Sequence, residues 1–379
     1  MNIAHVLSSF GVGGQERVAL DLAVAQHAEG NHVLAVSLAP PPEGPLAQEF
    51  RARGIEVRSL PKRPGVDASL VLELSSLFFR EHVDVVHTHN PQPLFYGALA
   101  GRLAGAVVVH TKHGANPDRG RRLWARRATG RLAHAYVAVS PTTANVARAN
   151  AECAASRLAV IDNGIDLSRF HPDEAARREV RAELGIPEEA RVVGTVGRVA
   201  PEKAHVLLVE AMGPLLDDRT RLVVVGDGSE MPAVREAARR LPGGAYVHLP
   251  GVRRDVPRLL AAMDVFVLSS KTEGLPLVIP EAMATSLPIV STAVGGIPDV
   301  LGDGDTGFLV PSGDAIALRA AIRRVLDDRD LAAAVGARAR AVALDRYSVT
   351  RMARSYLALY QRELALKSPS YALGGASAP

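Results

Sequence analysis

The sequence predicts an α/β protein of two doubly wound domains, on three observations. Short apolar runs of strand length alternate with longer amphipathic stretches from one end to the other, as when crossover helices join parallel strands. The alternation lapses once, over residues 163–191, where Pro172, Gly185, Pro187 and many charges read as an interdomain connection, and then it restarts. A chain of 379 residues, 47% of them hydrophobic, is too long for one ordinary core and suits two. Such sheets bind ligands just beyond the carboxyl ends of their strands. The residues that follow each strand therefore carry the functional argument.

In the first domain, placed at 1–168, strands are expected at "IAHVLSS", "HVLAVSL", "IEVRSL", "VDVVHTH", "AVVVHT", "AYVAVS" and "LAVIDN". Helices are expected over 15–29, 66–81 and 91–103 and on both sides of the arginine-rich segment 119–131. In the second, placed at 169–347, "RVVGTVGR", "RLVVVGDG", "AYVHLPG", "DVFVLSS", "LPIVST" and "GFLVP" read as strands with helices between. A last helix over about 348–366 is expected to pack back on the first domain, and the tail from 368 to fray.

Composition removes several functions. With 22% charged residues the chain is not of disordered type. The single Cys153 forms no internal disulfide and no metal-binding cysteine pair, which suits a reducing compartment. The first residues carry no basic leader and no apolar run reaches membrane-span length, so a cytoplasmic protein is expected. An excess of 44 Lys and Arg over 40 Asp and Glu is too small to imply nucleic acid.

The first strand runs into "GVGGQERVAL", where Gly13, Gly14 and Gln15 open a helix with exposed amides. A dinucleotide fingerprint fails here, because Glu16 stands in place of the last glycine and the second strand has no acid at its tip. His87, His89, His110 and His113 sit at or beyond the ends of the fourth and fifth strands; without an acidic partner or helical spacing, no metal site is expected from them. A neutral His113 is expected to donate to a sugar hydroxyl or a phosphate.

In the second half Arg198 directly follows a strand, and Lys203 is placed in the first turn of the next helix. Two cations at a helix start oppose its dipole, a conflict that an anion held between them removes. Farther on, "EGLPLVIPEAMA" puts Glu273 in a loop stiffened by Pro276, and Glu281 beside Pro280 at the expected first helical position. The two carboxylates do not share a face as a proton-sharing pair would, and they suit sugar and ribose hydroxyls better than glycoside hydrolysis. Gly295 and Gly296 offer further amides, Asp227 in "VGDGS" is expected only to shape the crevice, and "DGDTG" from Asp303 reads as a turn rather than a metal site.

Together the run from Glu273 to Glu281, "GRVAPEK" ending at Lys203, "NGID" at 163–166 and the loop "GVGGQE" resemble glycosyltransferase family 4, retaining enzymes of the GT-B fold, two Rossmann-like domains facing across a crevice. The likeness covers nearly the whole chain. It implies that Arg198 and Lys203 hold a donor diphosphate, that Glu281 binds the ribose, and that Glu273 with the amides of Gly274 and Leu275 holds the donor sugar. It places His113 by the reacting sugar and Gly14 near donor and acceptor, with Gly13, Gln15 and His89 on the acceptor side. The departures are Ala204 where glycine is usual, Asp299 where glutamate is common, and Lys112 in "TKHG"; they leave the donor's identity open.

The activity so implied is retaining hexosyl transfer from a nucleoside-diphosphate sugar, UDP ahead of GDP or ADP, to a hydroxyl acceptor in cell-envelope polysaccharide, lipopolysaccharide or glycolipid synthesis. No metal cofactor is expected, the two cations standing in for one. The alternatives are a sugar-nucleotide epimerase of the same fold and a noncatalytic nucleotide-sugar binding module. Finally, 119–131 reads as a helix with Arg119, Arg122 and Arg126 outward and Leu123 or Trp124 against apolar matter. Such a helix suits an anionic membrane surface at the inner face of the cell membrane, and hence a lipid-linked acceptor.

Overall fold

The computed structural model describes residues 1–114 and 118–367. The expected frayed tail from 368 lies outside the described residues. The chain divides into two compact units, Met1–Ile165 with the chain from Val349 on, and Asp166–Ser348.

The first unit runs β1 (Asn2–Leu7), α1 (Gly14–Ala28), β2 (His32–Ser37), α2 (Leu46–Ala52), β3 (Glu56–Ser59), α3 (Ala68–Arg80) and β4 (Val85–His89). It continues through α4 (Pro91–Leu103), β5 (Val107–Lys112), α5 (Gly120–Gly130), β6 (Ala135–Ala138), α6 (Pro141–Ala149) and β7 (Leu158–Val160). The strands form one parallel sheet in the order β3-β2-β1-β4-β5-β6-β7. Strict alternation assigns the two faces. Ala4, Val6 and Val86 pack with Leu70, Leu74 and Phe78 on one side, while Leu7, Val33 and Ala35 pack with Leu20, Ala23 and Phe50 on the other.

α2 was not anticipated, because seven residues make too few turns to display a helical period. Leu46 and Phe50 nevertheless bury it against the α1 side.

In the second unit come α7 (Glu174–Glu183), β8 (Arg191–Val196), α8 (His205–Met212), β9 (Thr220–Val225), α9 (Met231–Arg240), β10 (Val247–Gly251) and α10 (Val256–Ala261). They are followed by β11 (Val265–Leu268), α11 (Val278–Ala284), β12 (Ile289–Thr292), β13 (Phe308–Val310), α12 (Ala315–Asp327) and α13 (Arg329–Arg346). The parallel sheet runs β10-β9-β8-β11-β12-β13 over a core that includes Val193, Leu208, Val224, Val267 and Ile322.

Segment 163–191 is not the bare connection the sequence suggested. Asp173 caps α7 by accepting from the amides of Ala175 and Ala176. The helix packs on α10, and buried Arg181 donates to the carbonyls of Ala262, Glu188 and Ala190 and to Asp264. Most of that segment is thus built into the second unit. The last helix, α14 (Val349–Lys367), packs on α1 and β5 of the first unit.

Candidate active site

Within the second unit, the loops after β8, β11 and β12 are tied to one another by backbone groups. Lys271 N–H donates to Glu202 O at 2.7 Å, and Ser269 Oγ donates to the carbonyls of Lys203 and Ala204. Thr292 Oγ1 and Ser312 Oγ both donate to Ser270 O. Gly296 N–H donates to Gly274 O at 2.7 Å. Gly295 stands at φ +58, where a Cβ would also meet Glu273 O at 1.9 Å, so only glycine lets these two loops close on each other.

These ties set the side chains. Lys203 does not lie in the first turn of α8 as expected. It ends a short 3₁₀ turn, Pro201–Lys203, and Ala204 then takes a left-handed conformation (φ 50, ψ 41) before the helix begins. Its ammonium meets Glu273 Oε1 at 2.6 Å, and Ser270 Oγ donates to the same oxygen at 2.7 Å. Arg198, its side chain 73% exposed, pairs with Glu202 at 2.6 Å. Each of the two cations therefore has a carboxylate of the chain itself as partner.

Pro280 is likewise not the first helical residue: α11 begins at Val278, with Glu281 inside its first turn. Glu273 and Glu281 sit on separate elements. Asp227 accepts from Gly228 N–H, and Asp303, bridged to Gly307, accepts from Leu309 N–H while Gly304 N–H donates to Gly307 O across the turn between them.

In the first unit Gly13 precedes α1 in extended conformation, and Gly14 is the first helical residue. A Cβ on Gly13 would strike Glu16 Oε2 at 2.3 Å. Gln15 Nε2 donates to the buried Glu16, whose carboxyl is raised above the usual range by burial.

His113 follows β5. Its backbone N–H donates to Asn90 Oδ1, and Asn90 itself holds φ 69, ψ 173, a region seldom visited outside glycine. Strain of that kind, on the order of 1–3 kcal/mol, marks sites where position matters more than local stability. Behind His113 lies a buried polar layer. His113 Nε2 meets His89 Nδ1 at 3.0 Å, His89 Nε2 meets His5 Nδ1 at 3.0 Å, and His5 Nε2 meets Gln26 Oε1 at 2.8 Å.

His89, expected on the acceptor side, is consequently buried with both ring nitrogens engaged, while the His113 residue is partly exposed. Burial pushes the imidazoles of His5 and His113 down to about 4 and those of His87, His89 and His110 well below the ordinary value.

His5, His87 and His89 bring ring nitrogens within 4.8 Å of one another and are the group that could hold a metal ion. Their hydrogen bonds argue for shared protons instead. Both nitrogens of His87 are taken, by Tyr360 OH at 2.6 Å and Thr111 Oγ1 at 2.7 Å, and His5 and His89 face each other.

Lys112 points to the opposite face of the sheet. Buried there, it donates to Glu152 at 3.1 Å, which also accepts from Arg126, Asn150 and Tyr136. The unusual lysine thus serves the interior of the first unit and leaves the donor question untouched. Arg126, expected outward, is buried in this network; of Leu123 and Trp124, either of which was expected against apolar matter, Leu123 is half-buried and Trp124 is 71% exposed beside exposed Arg121 and Arg122. Burial raises the thiol of half-buried Cys153 to about 11.

Two parallel doubly wound sheets with basic and acidic groups gathered at strand ends define a protein of two Rossmann-like domains, the architecture of GT-B sugar transferases among others. The known proteins agree. Residues 12–169 match the family model described as Glycosyltransferase Family 4, and residues 190–328 match that of Glycosyl transferases group 1. The chain is 30% identical over 282 residues to the Escherichia coli UDP-Gal:alpha-D-GlcNAc-diphosphoundecaprenol alpha-1,3-galactosyltransferase, covering 70% of this chain and 72% of that protein. It is 32% identical over 366 residues to the D-inositol 3-phosphate glycosyltransferase of Geodermatophilus obscurus, covering 86% and 79%. The fold matches that of Anabaena HepE, solved in complex with UDP and glucose, with TM-score 0.87 at 23% identity over 96% and 100% of the two chains.

The chain belongs to glycosyltransferase family 4. It is an enzyme, a glycosyltransferase of GT-B fold. No helix among the described residues is long and apolar enough to cross a membrane.

Sequence reasoning missed Ser270, which braces Glu273, and Glu202, which pairs Arg198. It also missed His5, Gln26, Tyr356 and Tyr360 around the histidine layer. A signal existed for His5 alone: it shares strand parity with His87 and His89 across neighbouring strands.

Proposed function

We propose that this transferase moves a hexose from a nucleoside-diphosphate donor, UDP ahead of GDP or ADP, to a hydroxyl of a lipid-linked acceptor, with retention and without a divalent metal. The observation that carries the reading is the Lys203 ammonium held 2.6 Å from Glu273 at the strand ends of the second unit. A cation and a hydrogen-bond-accepting carboxylate side by side suit the junction of diphosphate and sugar. Arg198 extends the positive charge along the diphosphate, Glu281 takes the ribose, and Gly274 and Leu275 present amides to the sugar.

In this reading the bond from the anomeric carbon to the β-phosphate oxygen breaks and one to the acceptor oxygen forms. The acceptor's proton passes to the departing phosphate on the same face. Lys203 and Arg198 stabilise the charge that grows on the leaving diphosphate, a contribution that preorganised cations make without reorganising. UDP as the donor nucleotide and a polyprenol-linked acceptor are supported by the E. coli relative's name.

The basic helix refines the acceptor side. Trp124, Arg121 and Arg122 project from α5, and Arg119 precedes it, a set that suits an anionic bilayer at about 1 kcal/mol per cation near the surface. Vesicles rich in phosphatidylglycerol should float the protein, and Arg121→Glu with Arg122→Glu should abolish this; equal flotation by both proteins removes the membrane contact.

Turnover is tested with a panel of UDP-, GDP- and ADP-sugars, competing nucleotides, and chelator. The expected result is strongest competition by UDP and full activity in chelator. Epimerised free donor, or activity lost on chelation, overturns the proposal.

A further inference from the structure

The buried layer behind His113 has a direction. A neutral imidazole carries one donor and one acceptor nitrogen, so in a chain of such rings fixing one proton fixes all of them. The chain is anchored at Gln26 on α1, whose amide oxygen faces His5 Nε2 at 2.8 Å while its amide nitrogen donates to Tyr360 OH at 3.3 Å. An oxygen acceptor requires His5 to carry its proton on Nε2, which makes His5 Nδ1 an acceptor. His89 must then donate from Nε2 and accept at Nδ1, and His113 must donate from Nε2.

What is left at the end is His113 Nδ1, a lone pair that is shielded from solvent and has no hydrogen-bond partner among the described residues. The same amide directs a second arm. Tyr360 accepts from Gln26 and donates to His87 Nδ1, so His87 donates from Nε2 to Thr111 Oγ1, which in turn meets Tyr356 OH at 2.9 Å. Burial keeps the imidazoles neutral near pH 7, so the direction is not scrambled by protonation.

We propose that Gln26, His5 and His89 are positioning residues that lock His113 in its Nε2-protonated form, so that Nδ1 accepts a hydrogen bond from a hydroxyl of the transferred sugar. This reverses the donor role that the sequence alone suggested for His113, and it rests on the transferase reading above for the identity of the ligand. A shielded acceptor that meets no hydroxyl remains unsatisfied at a cost on the order of 1–3 kcal/mol. The relay therefore makes that hydroxyl a condition of turnover, about 10- to 100-fold in kcat/KM against a donor lacking it.

The test has two arms. In ligand-free protein labelled with ¹⁵N-histidine, long-range proton–nitrogen spectra at pH 7.5 should report His113 protonated on Nε2 and bare at Nδ1. Gln26→Met should shift His113 towards a mixture of tautomers, whereas Tyr360→Phe, which removes a hydrogen bond from the same layer, should leave it unchanged. A wild-type His113 protonated on Nδ1, or identical spectra for the two variants, overturns the relay. Stoichiometric Zn²⁺ uptake on dialysis that disappears in His5→Ala overturns it as well, since a metal would displace the shared protons.

In the second arm, with UDP-glucose as probe, Gln26→Met should lower kcat/KM about 10-fold and leave the inhibition constant of UDP unchanged, while Tyr360→Phe changes neither. A fall of equal size in both variants assigns the layer to stability alone and overturns the positioning role. The spectroscopic arm needs no turnover, so a failed transferase reading and a failed relay give different results.

Discussion

Two lysine–glutamate pairs, one in each unit, do opposite work with the same chemistry. Lys203 and Glu273 meet at 2.6 Å where the side chains are 22% and 8% exposed, and Ser270 completes the carboxylate's shell. Lys112 and Glu152 meet at 3.1 Å with exposures of 1% and 0%, enclosed by Arg126, Asn150 and Tyr136. In the first pair water and an incoming anion can take the carboxylate's place, so the ammonium is available for exchange. In the second, removing a partner leaves charge in the interior, and the pair is locked. Residue identity does not separate the two; burial does.

The sharpest way to break this comparison is Glu152→Gln. It takes the carboxylate from both Lys112 and Arg126, and should cost the first unit about 3–5 kcal/mol, read from that unit's transition in urea. Lys112→Met should cost less than half as much, because Glu152 keeps Arg126, Asn150 and Tyr136. Burial raises the Glu152 carboxyl, but Tyr136, Lys112, Asn150 and Arg126 outweigh it and hold the group below its ordinary value. A loss under about 1 kcal/mol for Glu152→Gln would mean the pair is not locked.

Lys203→Ala is the converse. The second unit should unfold nearly as before, while kcat/KM for the donor falls about 10²- to 10³-fold, the size expected when a cation aimed at developing charge is removed. If instead stability drops and kinetics hold, Lys203 belongs with Lys112.

Acid should weigh more on the first unit than on the second, where burial lowers His205 to about 4 and also lowers His248. His5 and His113 fall to about 4 in the folded chain from the ordinary 6.5, and His87, His89 and His110 lie lower still, all chiefly through burial. The unfolded chain takes up protons that the folded one refuses. The stability these groups contribute is therefore fully present above 6.5 and is lost as pH falls towards 4, by about 1.4 kcal/mol per pH unit for each histidine. Urea transitions of the first unit at pH 7.5 and 5.5 should differ accordingly; coincident transitions would mean the histidines are solvated.

Much of this was legible beforehand, and the misses share a cause. Strand positions follow from apolar runs that need only local chain, as in "VDVVHTH" and "RLVVVGDG". Arg198 with Lys203, and Glu273 with Glu281, stand out in the sequence because each pair is closely spaced, whereas the meeting of Lys203 with Glu273 across 70 residues does not. Side-chain direction was harder: Arg126 turned inward and Trp124 outward, since the helix's inner face is defined by Glu152, a residue distant in sequence. The histidine layer needs β1, β4, α1 and α14 together, an arrangement that no local pattern encodes. Lys112 misled for the same reason.

The smallest effect tests how firmly the exchangeable pair is held. Ala204 sits at φ 50 directly after Lys203, a conformation that costs a residue with a Cβ roughly 1–2 kcal/mol. Glycine would relieve this but would lose about 0.5–1 kcal/mol through its freer unfolded chain. Ala204→Gly should therefore stabilise the second unit by only about 0.5 kcal/mol, seen as a small rise in its urea midpoint. Donor KM should stay within about twofold, because Ser269 Oγ, donating to the carbonyls of both Lys203 and Ala204, holds the turn whichever residue occupies position 204. A larger rise in KM would mean that the methyl group itself stiffens the turn, and that the lysine's aim depends on the strain rather than on Ser269.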